Sequence, residues 1–162
     1  MRIAIAQLPF PVGAIDTNTQ RIIDTTRRAR DELGAELVVF PEMAVTGYPP
    51  DDLLLRDDFL GAVERALAEI AAACTGITAL VGAPLRRHGG VRNAAVALAD
   101  GAEVAAAYKR RLPSYSVFDD NRHFVAGSEP CLLEVGGRRL GVTICEDIWA
   151  AEPAAAAAAA GA

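Results

Sequence analysis

The sequence has few cysteines, histidines and aromatic residues, which narrows the kinds of site it can carry. Its 162 residues include three cysteines and two histidines, and 6% are aromatic. The cysteines, Cys74, Cys131 and Cys145, are odd in number and widely spaced, with no CxxC pair. The two histidines, His88 and His123, do not complete a zinc-ligand pattern with them. We therefore expect neither a disulfide framework nor a zinc site.

The sequence also has no excess of basic residues and no long hydrophobic run at its start. Sixteen basic and 21 acidic residues give a formal net charge of -5, so electrostatics favour neither nucleic acid nor an acidic membrane as a partner. The opening MRIAIAQLPFPVG carries one arginine and an apolar run broken by two prolines, unlike a signal peptide or a membrane span. We expect a cytoplasmic protein with a small-molecule substrate.

What is present is the composition of one globular domain, 52% hydrophobic and 23% charged. Apolar periodicity and turn signals predict strands at residues 2–8, 37–40 and 78–82, and helices at about 18–33 and 58–73. Asp100-Gly101 and Gly136-Gly137 predict hairpin turns, which join strands 91–98 to 103–108 and strands 131–135 to 138–144.

The strands IAIA, LVVF and ALVG are apolar on both sides, which is typical of a sheet covered on both faces. The sequence therefore predicts an α/β fold, with a mixed sheet that has helices on one face and another layer on the other. The alanine-rich C-terminal stretch predicts a further helix with no strand after it. We expect such a chain to be part of a larger domain.

Three residues with distinct chemistry follow predicted strands: Glu42 in VVFPE, Lys109 in AAAYK and Cys145 in VTICE. Strand ends are where α/β sheets assemble sites, because loops there can be polar while the strands fix their positions. Taken singly, each has a structural explanation as a loop carboxylate, a surface cation or a small buried hydrophobe. We assign that last role to Cys74 and Cys131. Their combination favours a catalytic site.

A thiol nucleophile needs a base and a group that stabilises the developing oxyanion. His88 lies in the turn RRHGG, and His123 lies in a loop where stacking or surface exposure is expected, so a cysteine–histidine protease is poorly supported. Glu42 could be the base if burial favours its protonated form. Lys109 could stay charged beside it, pairing with a carboxylate and with the oxyanion.

The order of these residues, within FPE, YK and a cysteine at a strand end, resembles the nitrilase or carbon-nitrogen hydrolase superfamily. The blocks FPEMAVTGYPPDDLLL, KRRLPSYSVFDDNRHF and ICEDIW narrow the resemblance to the glutaminase domains of the glutamine-dependent NAD synthetase family. The resemblance implies a nitrilase-type αββα sandwich. Residues 1–162 would be its N-terminal portion, with the rest of the sandwich and an ATP-dependent synthetase domain outside this chain.

The resemblance also implies roles for the three residues. Glu42 would be the general base, Lys109 would support the tetrahedral intermediate, and Cys145 would attack the side-chain amide of glutamine to form a thioester and release ammonia. Asp120 stands where many relatives have a second glutamate that supports the lysine. Because its side chain is one methylene shorter, we expect a looser contact with Lys109.

Three further residues match positions that line the glutamine pocket of the family, namely Tyr115, Phe118 and Glu146. The resemblance implies no cofactor in this chain, with ATP and magnesium bound by the absent synthetase domain. It implies glutamine and that domain as partners, and a homo-oligomer. Two alternatives stay open: a free-standing nitrilase-type amidase or carbamoylase acting on another small amide, and an inactive truncated remnant.

Overall fold

The computed structural model describes residues 1–87, 89–116 and 118–162, so the turn predicted around His88 lies partly outside the described residues. Two 3-10 turns, Asp51–Leu55 and Cys145–Trp149, accompany the regular elements. The strands are β1 (Ile3–Ile5), β2 (Leu37–Val39), β3 (Thr78–Arg87), β4 (Gly90–Ala99), β5 (Ala102–Tyr108), β6 (Cys131–Val135) and β7 (Arg138–Val142). The helices are α1 (Ile15–Asp31), α2 (Asp57–Ala73), α3 (Asp120–His123) and α4 (Ala151–Ala159).

The first five strands form one mixed sheet in the order β1-β2-β3-β4-β5. β1, β2 and β3 are parallel, whereas β3-β4 and β4-β5 are antiparallel pairs. Two reversals of direction leave β5 running the same way as β2. The residues that follow β2 and β5 therefore leave the sheet at the same edge.

Helices α1 and α2 cover one face of this sheet. The apolar spacing predicted a helix at 58–73, and α2 occupies Asp57–Ala73 with Val63, Leu67 and Ile70 buried against the sheet. α1 begins at Ile15, three residues before the prediction. Asn18, predicted at the helix start, is instead buried inside it and donates to the backbone oxygens of two loop residues.

The hairpin of β6 and β7 covers the other face, and α4 lies outside the hairpin. Leu133 and Val135 of β6 pack against Leu37 and Ala97 of the large sheet. α4 contacts β7 so closely that a Cβ added at Gly141 would lie 2.7 Å from the Cβ of an α4 alanine. The layers are thus helix, sheet, sheet and helix, which confirms the predicted αββα arrangement.

The prediction of a buried strand at residues 2–8 was wrong in length and in burial. Only Ile3–Ile5 pair with β2, and Ile5 is 80% exposed. β1 is an edge strand, and the apolar cluster beneath the hairpin layer is formed with residues of β2 to β5. In LVVF and ALVG, by contrast, Val38 and Val81 are fully buried, as predicted for covered strands.

Both predicted hairpins are confirmed. Asp100 and Gly101 have positive φ angles of 47° and 86°, and Gly136 and Gly137 have 55° and 71°, which two-residue hairpin turns require. β3 runs on to Arg87 rather than ending at residue 82, because its pairing with β4 continues along the whole strand. No helix among the described residues is long and apolar enough to cross a membrane.

Candidate active site

Glu42 lies in the turn after β2, and Lys109 directly follows β5, so the sheet brings both to one edge. The Glu42 turn is held over β3, where Val45 N donates to Gly82 O at 3.1 Å. A Cβ at Gly82 would overlap Pro41 O. Glycine at this position therefore allows the turn to lie directly on the sheet.

Lys109, the single lysine of the sequence, is the centre of the site. Its side chain is 1% exposed, and Nζ donates to Glu42 Oε1 and to Asp120 Oδ2, both at 2.7 Å. Burial alone lowers the pKa of Lys109, but the hydrogen bonds and charges of Asp120 and Glu42 outweigh it and raise the net pKa above its usual value. The prediction that Lys109 stays charged beside a carboxylate agrees with this geometry.

Asp120 is a buried carboxylate at the first position of α3. The expectation of a looser contact with Lys109 was wrong, since the two side chains meet at 2.7 Å. Asp120 N donates to Pro113 O at 3.0 Å, which fixes the start of α3 close to Lys109. Tyr48 OH donates to the other Asp120 oxygen at 3.0 Å. Burial and the Asp120 charge raise the pKa of Tyr48, so it remains a donor.

Asn93 also belongs to the site, although it was not among the residues predicted from the sequence. Asn93 Nδ2 donates to Glu42 Oε1 at 2.6 Å, and its backbone oxygen accepts from Lys109 N at 2.8 Å. Asn93 is 1% exposed on β4, in a stretch that is otherwise apolar from Ala94 onward. A polar amide at the start of an apolar strand was the available signal, because buried amides need partners.

Cys145 is the first residue of the 3-10 turn Cys145–Trp149 and has a φ of 47°. It was predicted at the end of a strand, but β7 ends at Val142, and Cys145 as a whole residue is exposed. Partial burial of its sulfur and the neighbouring Glu42 charge raise the pKa of the Cys145 thiol, while Lys109 acts in the opposite direction. The resting thiol is therefore protonated near neutral pH and needs a base.

The residues predicted to line the pocket meet beside Cys145. Tyr115 OH donates to Glu146 Oε2 at 2.9 Å, and the Tyr115 and Phe118 rings pack edge to face at 5.8 Å. Phe118 also contacts Tyr48, with ring centroids 6.3 Å apart. The structure thus joins Tyr115, Phe118 and Glu146 in one aromatic and acidic wall.

Asp147 was also missed, although it lies within the quoted ICEDIW block. Its carboxylate is 2% exposed and accepts backbone N–H groups from residues on both sides of the site. His123, expected to be stacked or exposed in a loop, instead ends α3 with only 5% of its side chain exposed and lies 3.6 Å from Asp52. No contact brings it to Cys145 within the part of the chain that the structure describes.

The remaining cysteines differ from Cys145. Cys74 is fully buried, as predicted, and burial raises its pKa to about 11. Cys131 is half-buried, and burial raises its pKa as well. Within residues 1–87, 89–116 and 118–162, no group of three His, Cys, Asp or Glu side chains is arranged to hold a metal ion.

Comparison with known proteins agrees with this geometry. The family model described as carbon-nitrogen hydrolase matches residues 2–162. The chain belongs to the carbon-nitrogen hydrolase family. Within this family the chain is 51% identical to a glutamine-dependent NAD(+) synthetase of Xanthomonas campestris pv. campestris, over all of this chain but 30% of that relative. It therefore spans about a third of the length of the curated relatives it matches.

The chain also superposes on solved structures of two kinds of protein, a glutamine-dependent NAD+ synthetase and an amidase of the nitrilase superfamily. The glutamine-dependent NAD+ synthetase of Acinetobacter baumannii superposes with a TM-score of 0.90 and 35% identity, covering 94% of this chain and 29% of that one. An amidase of the nitrilase superfamily from Nesterenkonia AN1 superposes with a TM-score of 0.88 and 28% identity, covering all of this chain and 62% of the amidase. These matches confirm the predicted fold class.

Proposed function

We propose that this chain carries the glutaminase centre of a glutamine-dependent NAD synthetase. The observation that supports this most directly is the buried Lys109 ammonium, bonded to Glu42 and Asp120, with the Cys145 thiol near enough for the charges of Glu42 and Lys109 to act on its pKa. A carboxylate, an ammonium and a thiol together supply the base, the oxyanion donor and the nucleophile of amide hydrolysis. The 51% identity to a synthetase supports glutamine as the amide.

In the first half of the reaction, Glu42 takes the Cys145 proton and the sulfur attacks the side-chain carbonyl carbon of glutamine. Two Lys109 protons bond Glu42 and Asp120, which leaves its third for the oxyanion that forms. Glu42 then gives its proton to the amide nitrogen, the carbon–nitrogen bond breaks, and ammonia leaves. A γ-glutamyl thioester remains on Cys145.

In the second half, Glu42 takes a proton from water while the hydroxide attacks the thioester carbonyl. The carbon–sulfur bond breaks, the thiolate recovers the proton from Glu42, and glutamate leaves. Asn93 and Lys109 both bond Glu42 Oε1, so the carboxylate keeps one orientation through all four proton transfers.

The wall of Tyr115, Phe118 and Glu146 is the proposed site for the rest of the glutamine molecule. The Glu146 carboxylate has the charge that attracts an α-ammonium group, and Tyr115 OH fixes its direction at 2.9 Å. Phe118 packs beneath Tyr115 and supplies apolar contact for the methylene groups.

The released ammonia would be used by a synthetase domain outside this chain, in the ATP-dependent amidation of deamido-NAD to NAD. ATP and magnesium would bind in that domain. This step rests on similarity to relatives about three times as long as the chain.

The proposal is tested by Cys145→Ala in the full-length protein. We expect loss of glutamine-dependent NAD synthesis, by at least about a thousandfold, because the nucleophile is removed. Synthesis from ammonium salts should persist, since it bypasses the thiol. Cys131→Ala is the matched control and should leave both activities unchanged. Equal loss of both activities in Cys145→Ala would contradict the proposal that Cys145 only releases ammonia and that a separate synthetase domain uses it.

The amidase alternative is supported by the superposition on the Nesterenkonia enzyme. The two functions differ in substrate, so kcat/KM for glutamine and for short aliphatic amides separates them. A preference for the aliphatic amides, with no NAD formed from glutamine, would favour the amidase. Robust ammonia release from glutamine by the 162-residue chain alone would exclude the inactive truncated remnant.

A further inference from the structure

The Asp147 carboxylate lies in the turn after Cys145, and both of its oxygens accept backbone N–H groups. Oδ2 accepts from Ile144 N at 3.0 Å, and Ile144 directly precedes Cys145. Oδ1 accepts from Arg110 N at 2.9 Å and from Arg111 N at 2.8 Å, and these two residues directly follow Lys109. One side chain thus bonds the backbone beside the thiol and the backbone beside the ammonium.

We propose that Asp147 is a positioning residue that holds the Cys145 turn at a fixed place relative to Lys109. The inference rests on the proposed role of Cys145 as nucleophile. The bonded segments are 36 and 37 residues from Asp147 in sequence, so local chain geometry does not fix their separation. β7 itself ends at Val142, before the thiol. The carboxylate supplies the connection that the sheet does not.

Cys145 needs such support because its backbone is strained. Its φ of 47° lies in the left-handed region, which residues other than glycine adopt only where the surroundings hold them. Asp147 N donates to Ile144 O at 3.0 Å while Oδ2 accepts from Ile144 N, so the turn is closed from both directions. The thiol direction is set by this closed turn.

The bonds to Asp147 are of a kind that resists displacement. A buried carboxylate is costly unless its oxygens accept hydrogen bonds, and three N–H groups meet that need here. A second connection between the same regions, Arg110 to Glu152 at 2.8 Å, is exposed on the Glu152 side and contributes less. The Tyr115–Glu146 bond also joins the loop after Lys109 to the Cys145 turn, but it is exposed, whereas the Asp147 carboxylate is buried.

The test is alkylation of Cys145 by iodoacetamide in the full-length protein, followed at the Cys145 peptide by mass spectrometry from pH 6 to 10. In Asp147→Asn one acceptor becomes an amide donor facing a backbone N–H. We expect the alkylation rate at neutral pH to rise about threefold or more, because a displaced thiol lies farther from Glu42, which raises its pKa more than Lys109 lowers it. We also expect a changed pH midpoint, since the thiol moves relative to Glu42 and Lys109.

Asp100→Asn is the matched control. Asp100 Oδ1 also accepts a backbone N–H, from Gly76 at 3.0 Å, but it lies at the opposite end of β5. This variant should keep the parental rate and pH midpoint at Cys145. A parental rate and midpoint in folded Asp147→Asn would overturn the proposal, as would equal changes in both variants.

If Asp147→Asn fails to fold, hydrogen exchange of the parent protein tests the proposal instead. Hydrogen exchange should show slow amides at Ile144, Arg110 and Arg111, and exchange at the rate of exposed loop amides would overturn the proposal. Because iodoacetamide needs no glutamine, these outcomes are distinct from failure of the Cys145→Ala test. If Cys145 were not the nucleophile, that test would show it whatever Asp147 does.

Discussion

At the scale of single residues, the site depends on how Glu42 is held. Asn93 and Lys109 donate to the same oxygen, Oε1, at 2.6 and 2.7 Å. Among the described residues these donors leave Oε2 as the atom able to exchange a proton with Cys145. The Glu42 charge also raises the pKa of that thiol, whereas Lys109 lowers it. The same carboxylate is thus proposed to suppress the resting thiolate and to accept its proton during reaction.

Glu42→Gln should separate these two effects. We expect glutamine hydrolysis to fall by at least about a hundredfold, because the general base is lost. Alkylation of Cys145 by iodoacetamide at pH 7 should become roughly three- to tenfold faster, because removing the negative charge lowers the thiol pKa and increases the thiolate fraction.

The measurement is the alkylation rate against pH beside the rate of ammonia release from glutamine. Glu69→Gln changes an exposed carboxylate on α2, in the outer helical layer, and should alter neither rate. Slower alkylation in Glu42→Gln would show that the carboxylate activates the resting thiol.

At the scale of elements, the approach of the Glu42 turn to β3 decides where the carboxylate lies. Val45 N bonds Gly82 O, and a side chain at Gly82 would overlap the backbone of Pro41. The neighbouring atoms are backbone rather than flexible side-chain ends, so they move only if the whole turn moves.

Gly82→Ala should therefore displace the Glu42 turn. We expect a loss of about 1–3 kcal/mol in the free energy of unfolding, as for overpacked cores. Glutamine hydrolysis should fall by about tenfold or more in the protein that remains folded. Urea denaturation and steady-state kinetics measure the two effects.

Gly61→Ala is the matched control for the same chemical change. Gly61 is inside α2, where an added Cβ meets only the end of the Arg65 side chain at 3.5 Å. Alanine there should stabilise the protein by about 0.5–1 kcal/mol, since glycine is a poor helix former. Gly82→Ala with parental stability and activity would refute the close-approach argument.

At the scale of the whole molecule, the two faces of the sheet are covered unequally. The helical face is continuous, whereas the hairpin layer stops before β1 and leaves Ile3 and Ile5 exposed on an edge strand. An exposed apolar edge favours pairing with other chains. The 162-residue chain studied by itself should be weakly stable and should self-associate as its concentration rises.

Ile5→Lys should reduce this association, because it places a charge on the open edge. Leu55→Lys is the control, since Leu55 is 71% exposed but lies in a 3-10 turn rather than on a strand. Analytical ultracentrifugation of the 162-residue chain measures the difference. Equal association of the parent and Ile5→Lys would show that the exposed β1 edge does not cause the self-association.

The sequence alone was sufficient wherever the deciding signal is local. The spacing of Val63, Leu67 and Ile70 predicted α2, since a helix repeats every 3.6 residues. Asp100-Gly101 predicted its hairpin turn, since these residue types adopt positive φ at low cost. The position of a residue directly after a strand is also a local signal. Lys109 could therefore be proposed as a site residue from the sequence.

Tertiary structure decided what depends on residues far apart in the chain. Glu42 is 51 residues from Asn93, and Asp147 is 37 from Arg110, so no local pattern reports these bonds, and neither Asn93 nor Asp147 was predicted. The burial of β1 depended on which strands the hairpin layer covers, and the close contact of Asp120 depended on where the backbone places α3. The sequence determined which chemical groups follow which elements. Packing of the layers determined which of those groups share hydrogen bonds, because only packing sets the distances between them.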